Sequence, residues 1–367
     1  MRFVERFIRF PPLLVASLIL LLGFPLEAGA TQTVPILGYA NSLVLDSTGT
    51  FVYVSTGQAV LQVDLATRHL VQQFTYNVDY NSRLGDIDES DSTLSLAGFS
   101  KAGTLNLDSG TQLQVLSGSS LGGALLVGGV LYVPDFNNRS IQVAALDGSF
   151  ANLIPYPPNG PTVCPRGITH TADRSLIVFG DSCQKAFHLI DPATQSLIGT
   201  VPVGIQPDRF ALVSADLAVV VDYDDGTVAF SDLAHPTNPP VLMRIPSLAN
   251  VTSVAVNTVR NQLLIAHRAL VPSGRVACPD PDDDITEPEI VVVDIGTKKV
   301  VERFRLDVLQ KLYFGSAEVN DIKVTPDGGT LLVASNEALY FVDLTTRCKI
   351  GRLTKERLRS SLFYCLR

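Results

Sequence analysis

Val63-Asp64-Leu65-Ala66-Thr67, an aspartate closing a short apolar run with a threonine three residues on, recurs along the chain. Leu107-Asp108-Ser109-Gly110-Thr111, Ile190-Asp191-Pro192-Ala193-Thr194, Val293-Asp294-Ile295-Gly296-Thr297 and Val342-Asp343-Leu344-Thr345-Thr346 are further copies. Leu146-Asp147-Gly148 and Ser231-Asp232-Leu233 fall where the spacing calls for two more. The seven aspartates stand 44, 39, 44, 41, 62 and 49 residues apart. A period of about 40–45 residues is that of a four-stranded propeller blade, so the long sixth interval reads as a loop insertion. Aspartate favours the first position of a turn because its carboxylate accepts backbone N–H groups just ahead of it. These residues are therefore read as turn formers rather than ligands.

Between the turns lie runs of four to six residues rich in Val, Leu, Ile, Tyr and Phe, as in Ser42–Leu45, Phe51–Ser55, Ala59–Asp64 and Leu70–Phe74. Four such strands make a blade, and a blade cannot bury both faces alone, so blades must stack around a channel. The expectation is an all-β, seven-bladed β-propeller of four-stranded antiparallel blades over residues 31–353, with 354–367 as a C-terminal tail. A chain that is 46% hydrophobic and only 17% charged has the apolar content for such a core and is no disordered sequence.

The last repeat carries a resemblance. Val324-Thr325-Pro326-Asp327-Gly328, then Leu331-Leu332-Val333-Ala334-Ser335-Asn336 and Phe341-Val342-Asp343-Leu344-Thr345-Thr346, resembles the YVTN-type β-propeller repeat, and Val52-Tyr53-Val54-Ser55-Thr56 and Leu131-Tyr132-Val133 echo one strand of it. Blades two, three and five depart from the pattern. The resemblance implies kinship with seven-bladed, lactonase-like propellers, a group that includes binding proteins and unrelated enzymes, so it speaks for architecture and not for activity.

Residues 1–30 read as a secretory signal peptide: Arg2, Arg6 and Arg9 precede the apolar run Leu13–Leu22, and Ala28-Gly29-Ala30 supplies small residues for cleavage. The run is shorter than the roughly 20 residues of a spanning helix, so no membrane span is expected after cleavage, and the chain is read as secreted or periplasmic. Removing three arginines and two glutamates takes a net +1 from the formal charge of −8 and leaves −9. An acidic surface repels phosphate backbones, so nucleic acid is not an expected partner; an unidentified protein or small molecule is. Export also permits disulfides. Cys164 and Cys183 fall in two loops of one blade on one face and are expected to pair; Cys348 with Cys365 is a second candidate pair, which leaves Cys278 as the odd thiol.

Propeller topology sorts the loops. The Asp-x-x-Thr turns share one face; the irregular loops, joining second to third strands and blade to blade, share the other, and long loops on a rigid scaffold are the usual carriers of binding. Asn41, Asp86, Arg166, Asp208, Arg209, Asn320 and Asp321, read as lying just before innermost strands, would ring the channel mouth there, and His267 would point at that face. Mixed carboxylate, amide and guanidinium groups suit a ligand site and equally suit any wet channel mouth. Asp280, Asp282, Asp283 and Asp284 in the sixth-blade insertion have the chemistry to hold Ca²⁺ or another divalent cation, although a solvated acidic loop is the simpler account. No zinc spacing, nucleophile elbow or phosphate loop is present in the sequence. The leading expectation is a binding or interaction scaffold; the competing one, implied by the resemblance, is a lactonase-like small-molecule hydrolase, which would need either a bound divalent cation or a general base among Asp86, Asp208, His267 and Asp321.

Overall fold

The computed structural model describes residues 40–57, 59–76, 83–88, 92–118, 120–147, 149–156, 164–270, 286–306, 318–336, 338–346 and 349–354. The signal-peptide reading, Cys278, Cys348, Cys365 and the acidic run Asp280–Asp284 lie outside them.

The described residues form twenty-eight strands and no helix, in seven sheets of four sequential antiparallel strands. The innermost strands are β1 (Ser42–Leu45), β5 (Arg83–Asp88), β9 (Leu125–Val127), β13 (Pro165–His170), β17 (Arg209–Leu212), β21 (Val251–Asn257) and β25 (Val319–Val324). Each neighbours the next, and β25 returns to β1, so the sheets close into a ring. This is the seven-bladed propeller that the aspartate period predicts.

The core is divided among the blade interfaces, one apolar cluster to each. Leu43, Val52, Val54, Leu332, Leu339 and Phe341, for example, seal the first blade against the seventh. Second and third strands have both faces covered, which is why they read as unbroken apolar runs: β18 (Leu217–Val221) is Leu-Ala-Val-Val-Val and almost wholly buried. The outermost strands cover one face only, and β20 (Val241–Arg244) is mainly exposed.

The turn aspartates act as expected. Asp64 accepts from the Thr67 amide at 2.7 Å and its hydroxyl at 2.8 Å, and Asp294 repeats this with Thr297. These bonds to the charged carboxylate hold both groups below the usual aspartate range. Blade two corrects the sequence alignment of the repeats. There β7 (Lys101–Asn106) ends two residues before Asp108, and Asn106 takes the turn position, accepting from the Ser109 amide and hydroxyl at 2.8 Å. An amide oxygen serves the same donors as a carboxylate, so the geometry survives the change of residue.

The last sheet takes all four strands from consecutive sequence, ending in β28 (Lys349–Thr354). Closure is made between innermost strands. The Leu43 amide donates to Asp321 Oδ2 at 2.8 Å, Asn320 Nδ2 donates to the Ala40 carbonyl at 2.8 Å, and the Ala40 amide donates to the Ser335 carbonyl at 3.2 Å.

Candidate functional site

Four innermost strands break register near the loop-rich face: β5 between Leu84 and Ile87, β13 between Pro165 and Gly167, β21 between Val251 and Ser253, β25 between Val319 and Asp321. A bulge adds a residue and re-aims side chains, a device common beside functional sites. It also changes where four of the expected residues stand. Arg166, Asn320, Asp321 and Asp86 lie inside their strands, not before them; Asn41 and Asp208 do precede theirs, and Arg209 begins β17.

Asn41, Arg166, Asp208, Arg209, Asn320 and Asp321 together line a cavity of about 740 Å³ at the channel mouth. Arg166 Nε lies 2.9 Å from Asp208 Oδ1. Arg209 spends its donors on the Thr252 carbonyl (2.5 Å) and the Asp208 carbonyl (2.9 Å). Burial and then the neighbouring Arg83 guanidinium hold the Arg209 pKa below the ordinary arginine value. Asp321 is tied into three blades: besides Leu43, it accepts from Ser253 Oγ at 2.7 Å and from its neighbour Ile322's amide at 2.9 Å. Asn320 also bonds Asn336 at 2.9 Å.

The structure does not bring Asp86 or His267 to this cavity. Because β9 has only three residues, β5 and β13 meet directly across it, and His170 Nε2 reaches Asp86 Oδ2 at 2.5 Å. Arg174 braces the pair, 3.5 Å from Asp86 and donating to the Ile87 carbonyl at 2.7 Å. Gly85 and Thr169, just before the bridge, line the mouth cavity; Asp86, His170 and Arg174 line a second cavity of about 650 Å³ below it. The bridge thus separates the two cavities on the side of blades two to four. His267 is 1% exposed, with Nε2 2.9 Å from Glu289, itself paired with Arg303. Burial outweighs the Glu289 carboxylate and keeps its pKa below the ordinary histidine value.

Cys164 and Cys183 are joined, their Cα atoms 5.2 Å apart. Asp181 Oδ1 collects the amides of both cysteines and of Gln184, and its other oxygen meets His188 at 3.2 Å. This cluster fixes Cys164 at the entry to β13, two residues before Arg166.

Comparison with known proteins adds the fold. Hydrazine synthase of Kuenenia stuttgartiensis superposes with a TM-score of 0.53 at 15% identity, over 87% of this chain and 80% of that one. That likeness is architectural. No protein-family model matches the chain, and no curated protein matches its sequence.

Four charged residues of the cavity stand outside those the sequence singles out: Arg83, Arg268, Glu318 and Lys323. A signal was present for two of them. Arg83 opens β5 as Arg209 opens β17, and Lys323 follows Asp321 by two residues on one strand, hence on one side of it. Arg268 and Glu318, which pair with one another, come from the far end of a second strand and the entry to β25, a meeting that the stacking of blade six on blade seven produces.

Proposed function

We propose that this chain is an exported binding propeller that takes a small molecule in the mouth cavity on its loop-rich face. The observation that carries the reading is the cup itself: about 740 Å³, lined by innermost strands from several blades and narrowed on one side by the Asp86–His170 bridge. That volume is within the range of small-molecule sites, about 300–1,000 Å³. Export is supported by the N-terminal sequence pattern and by the Cys164–Cys183 bond. The strand signature in blades one and seven supports kinship with YVTN-type propellers.

The hydrolase reading draws less support. Asp208 and Asp321 are committed to Arg166 and to the blade junction, Asp86 to His170, and His267 is buried beside Glu289. A general base needs reach to a substrate proton, and each candidate is engaged elsewhere.

Equilibrium dialysis of the full chain against a small-molecule extract tests the proposal. Thr169 lines the cup, and Thr169→Trp fills it. One compound retained per chain by the wild type and not by Thr169→Trp is the expected result; equal retention by both contradicts it.

A further inference from the structure

The cup is more basic than the protein around it. Five of its lining residues are cationic and three are carboxylates, on a chain whose formal charge is −8. The carboxylates are spoken for: Asp208 by Arg166, Glu318 by Arg268, and Asp321 by the Leu43 and Ile322 amides and the Ser253 hydroxyl. Three cations have no carboxylate ion-pair partner, and the lining carries a net excess of two positive charges. Arg209 is hydrogen-bonded only to backbone carbonyls, and Arg83 and Lys323 have no hydrogen-bond or ion-pair partner among the described residues.

Their arrangement is informative. Arg83 and Arg209 are the first residues of β5 and β17 and stand near the rim; Lys323 is the fifth residue of β25 and stands deeper. Burial and then Arg83 disfavour the charge on Arg209, Asp208 and Asp321 offset this only in part, and an anion placed between the two guanidinium groups offsets more of it. Guanidinium forks match the two-oxygen geometry of an oxyanion. Two further lining donors, Asn41 Nδ2 and Arg268 Nε, are buried without an acceptor, so the wall as a whole has more donors than acceptors. A low-dielectric cleft with an excess of one sign of charge, here five cations against three carboxylates, also concentrates ligands of the opposite sign.

Resting on the cup as the binding site, we propose that its ligand is a small organic oxyanion, its carboxylate, phosphate or sulfate group held between Arg83 and Arg209 with Lys323 beneath. A bare inorganic ion would leave most of the cavity unfilled, so the anionic group is carried on a larger organic body.

The test is titration calorimetry of the full chain, at low ionic strength, with citrate, inorganic phosphate and the neutral trimethyl citrate, paired with hydrogen exchange. Arg83→Gln and Lys323→Gln alter side chains without partners, so both variants should fold. The proposal expects one site per chain for citrate, weakened about tenfold or more in each variant and by added salt, with slowed exchange in β5 and β17. Phosphate binding more weakly than citrate at the same site agrees with the organic body; phosphate binding more tightly overturns that part of it. If trimethyl citrate binds as tightly as citrate and slows the same strands, the anion is overturned and the cup as a binding site survives. If citrate and phosphate both fail to saturate by about 10 mM, beyond the millimolar range of weak sites, the oxyanion proposal is overturned. If citrate binds but exchange slows only outside the cup, both this inference and the reading beneath it fall.

Discussion

His170 Nε2 and Asp86 Oδ2 meet at 2.5 Å over the short strand β9, 84 residues apart in sequence, while His170 Nδ1 faces the Thr171 carbonyl at 2.7 Å. Both ring nitrogens therefore face acceptors, an arrangement that only the doubly protonated imidazolium satisfies. Burial opposes the charge and the Asp86 carboxylate overrides it, leaving the His170 pKa raised.

The pH dependence follows from that direction. The folded state holds the His170 proton to higher pH than the unfolded chain, whose value is about 6.5. The bridge therefore contributes fully below about pH 6.5 and fades as pH rises through the raised value. His170→Gln is expected to cost about 2 kcal/mol at pH 6 and clearly less at pH 9, read from denaturant unfolding. An equal cost at both pH values would show that the charge plays no part.

Gly85 stands where the backbone of blade two touches blade three. A Cβ there would lie 1.7 Å from the Ala124 carbonyl oxygen and 2.5 Å from Ser95 Oγ. Backbone cannot step aside as a flexible side chain does, so Gly85→Ala is expected to destabilise by about 3 kcal/mol or more. A wild-type melting temperature for this variant would mean that the two strands are not in contact.

Asp321 joins blades six, seven and one. Asn in its place would offer an N–H₂ group to one of the backbone amides it now accepts from. Asp321→Asn is expected to lower stability by about 2–3 kcal/mol, more than Ser253→Ala, which removes only one of the bonds. Limited proteolysis should cut the Asp321→Asn chain first near the junction of β1 and β25. Wild-type resistance would contradict the closure described.

The Cys164–Cys183 bond closes a loop with a sequence separation of 19. A cross-link of that span restricts the unfolded chain by about 3 kcal/mol in the chain-entropy account. Non-reducing peptide mapping should recover the two cysteines in one linked species, and reduction should lower the melting temperature and speed exchange in β13 and β14. Two separate alkylated peptides from the unreduced protein would refute the bond.

The blade count was legible because most third strands end on a side-chain acceptor for two turn donors, as Asp64, Asp191, Asp232, Asp294 and Asp343 do; in blade three the strand ends at Ala145 and Asp147, two residues on, accepts from the Ser149 amide. Blade two shows the limit. Its acceptor is Asn106, and Asp108 two residues on has the expected letter in the wrong place. The same limit shaped the site. Residues preceding a strand can be read from a sequence, whereas a bulge inside one cannot, so Arg166 and Asn320 were placed one step off and Asp86 was placed at the wrong end of the channel. Pairings between blades, His170 with Asp86 and Arg268 with Glu318, depend on how the sheets stack and leave no local pattern. The charge excess of the cup belongs to the same class, since Arg83, Arg209 and Lys323 come from three different blades.

Hydrogen exchange of the full chain, with and without a bound small-molecule fraction, tests the central claim most directly. A ligand in the cup should slow exchange at the starts of β5, β13, β17 and β25, where Arg83, Arg166, Arg209 and Asn320 line the wall, and leave the outermost strands unchanged. Protection confined to the outermost strands, or to the face of the Asp-x-x-Thr turns, would contradict it and place the binding surface elsewhere on the propeller.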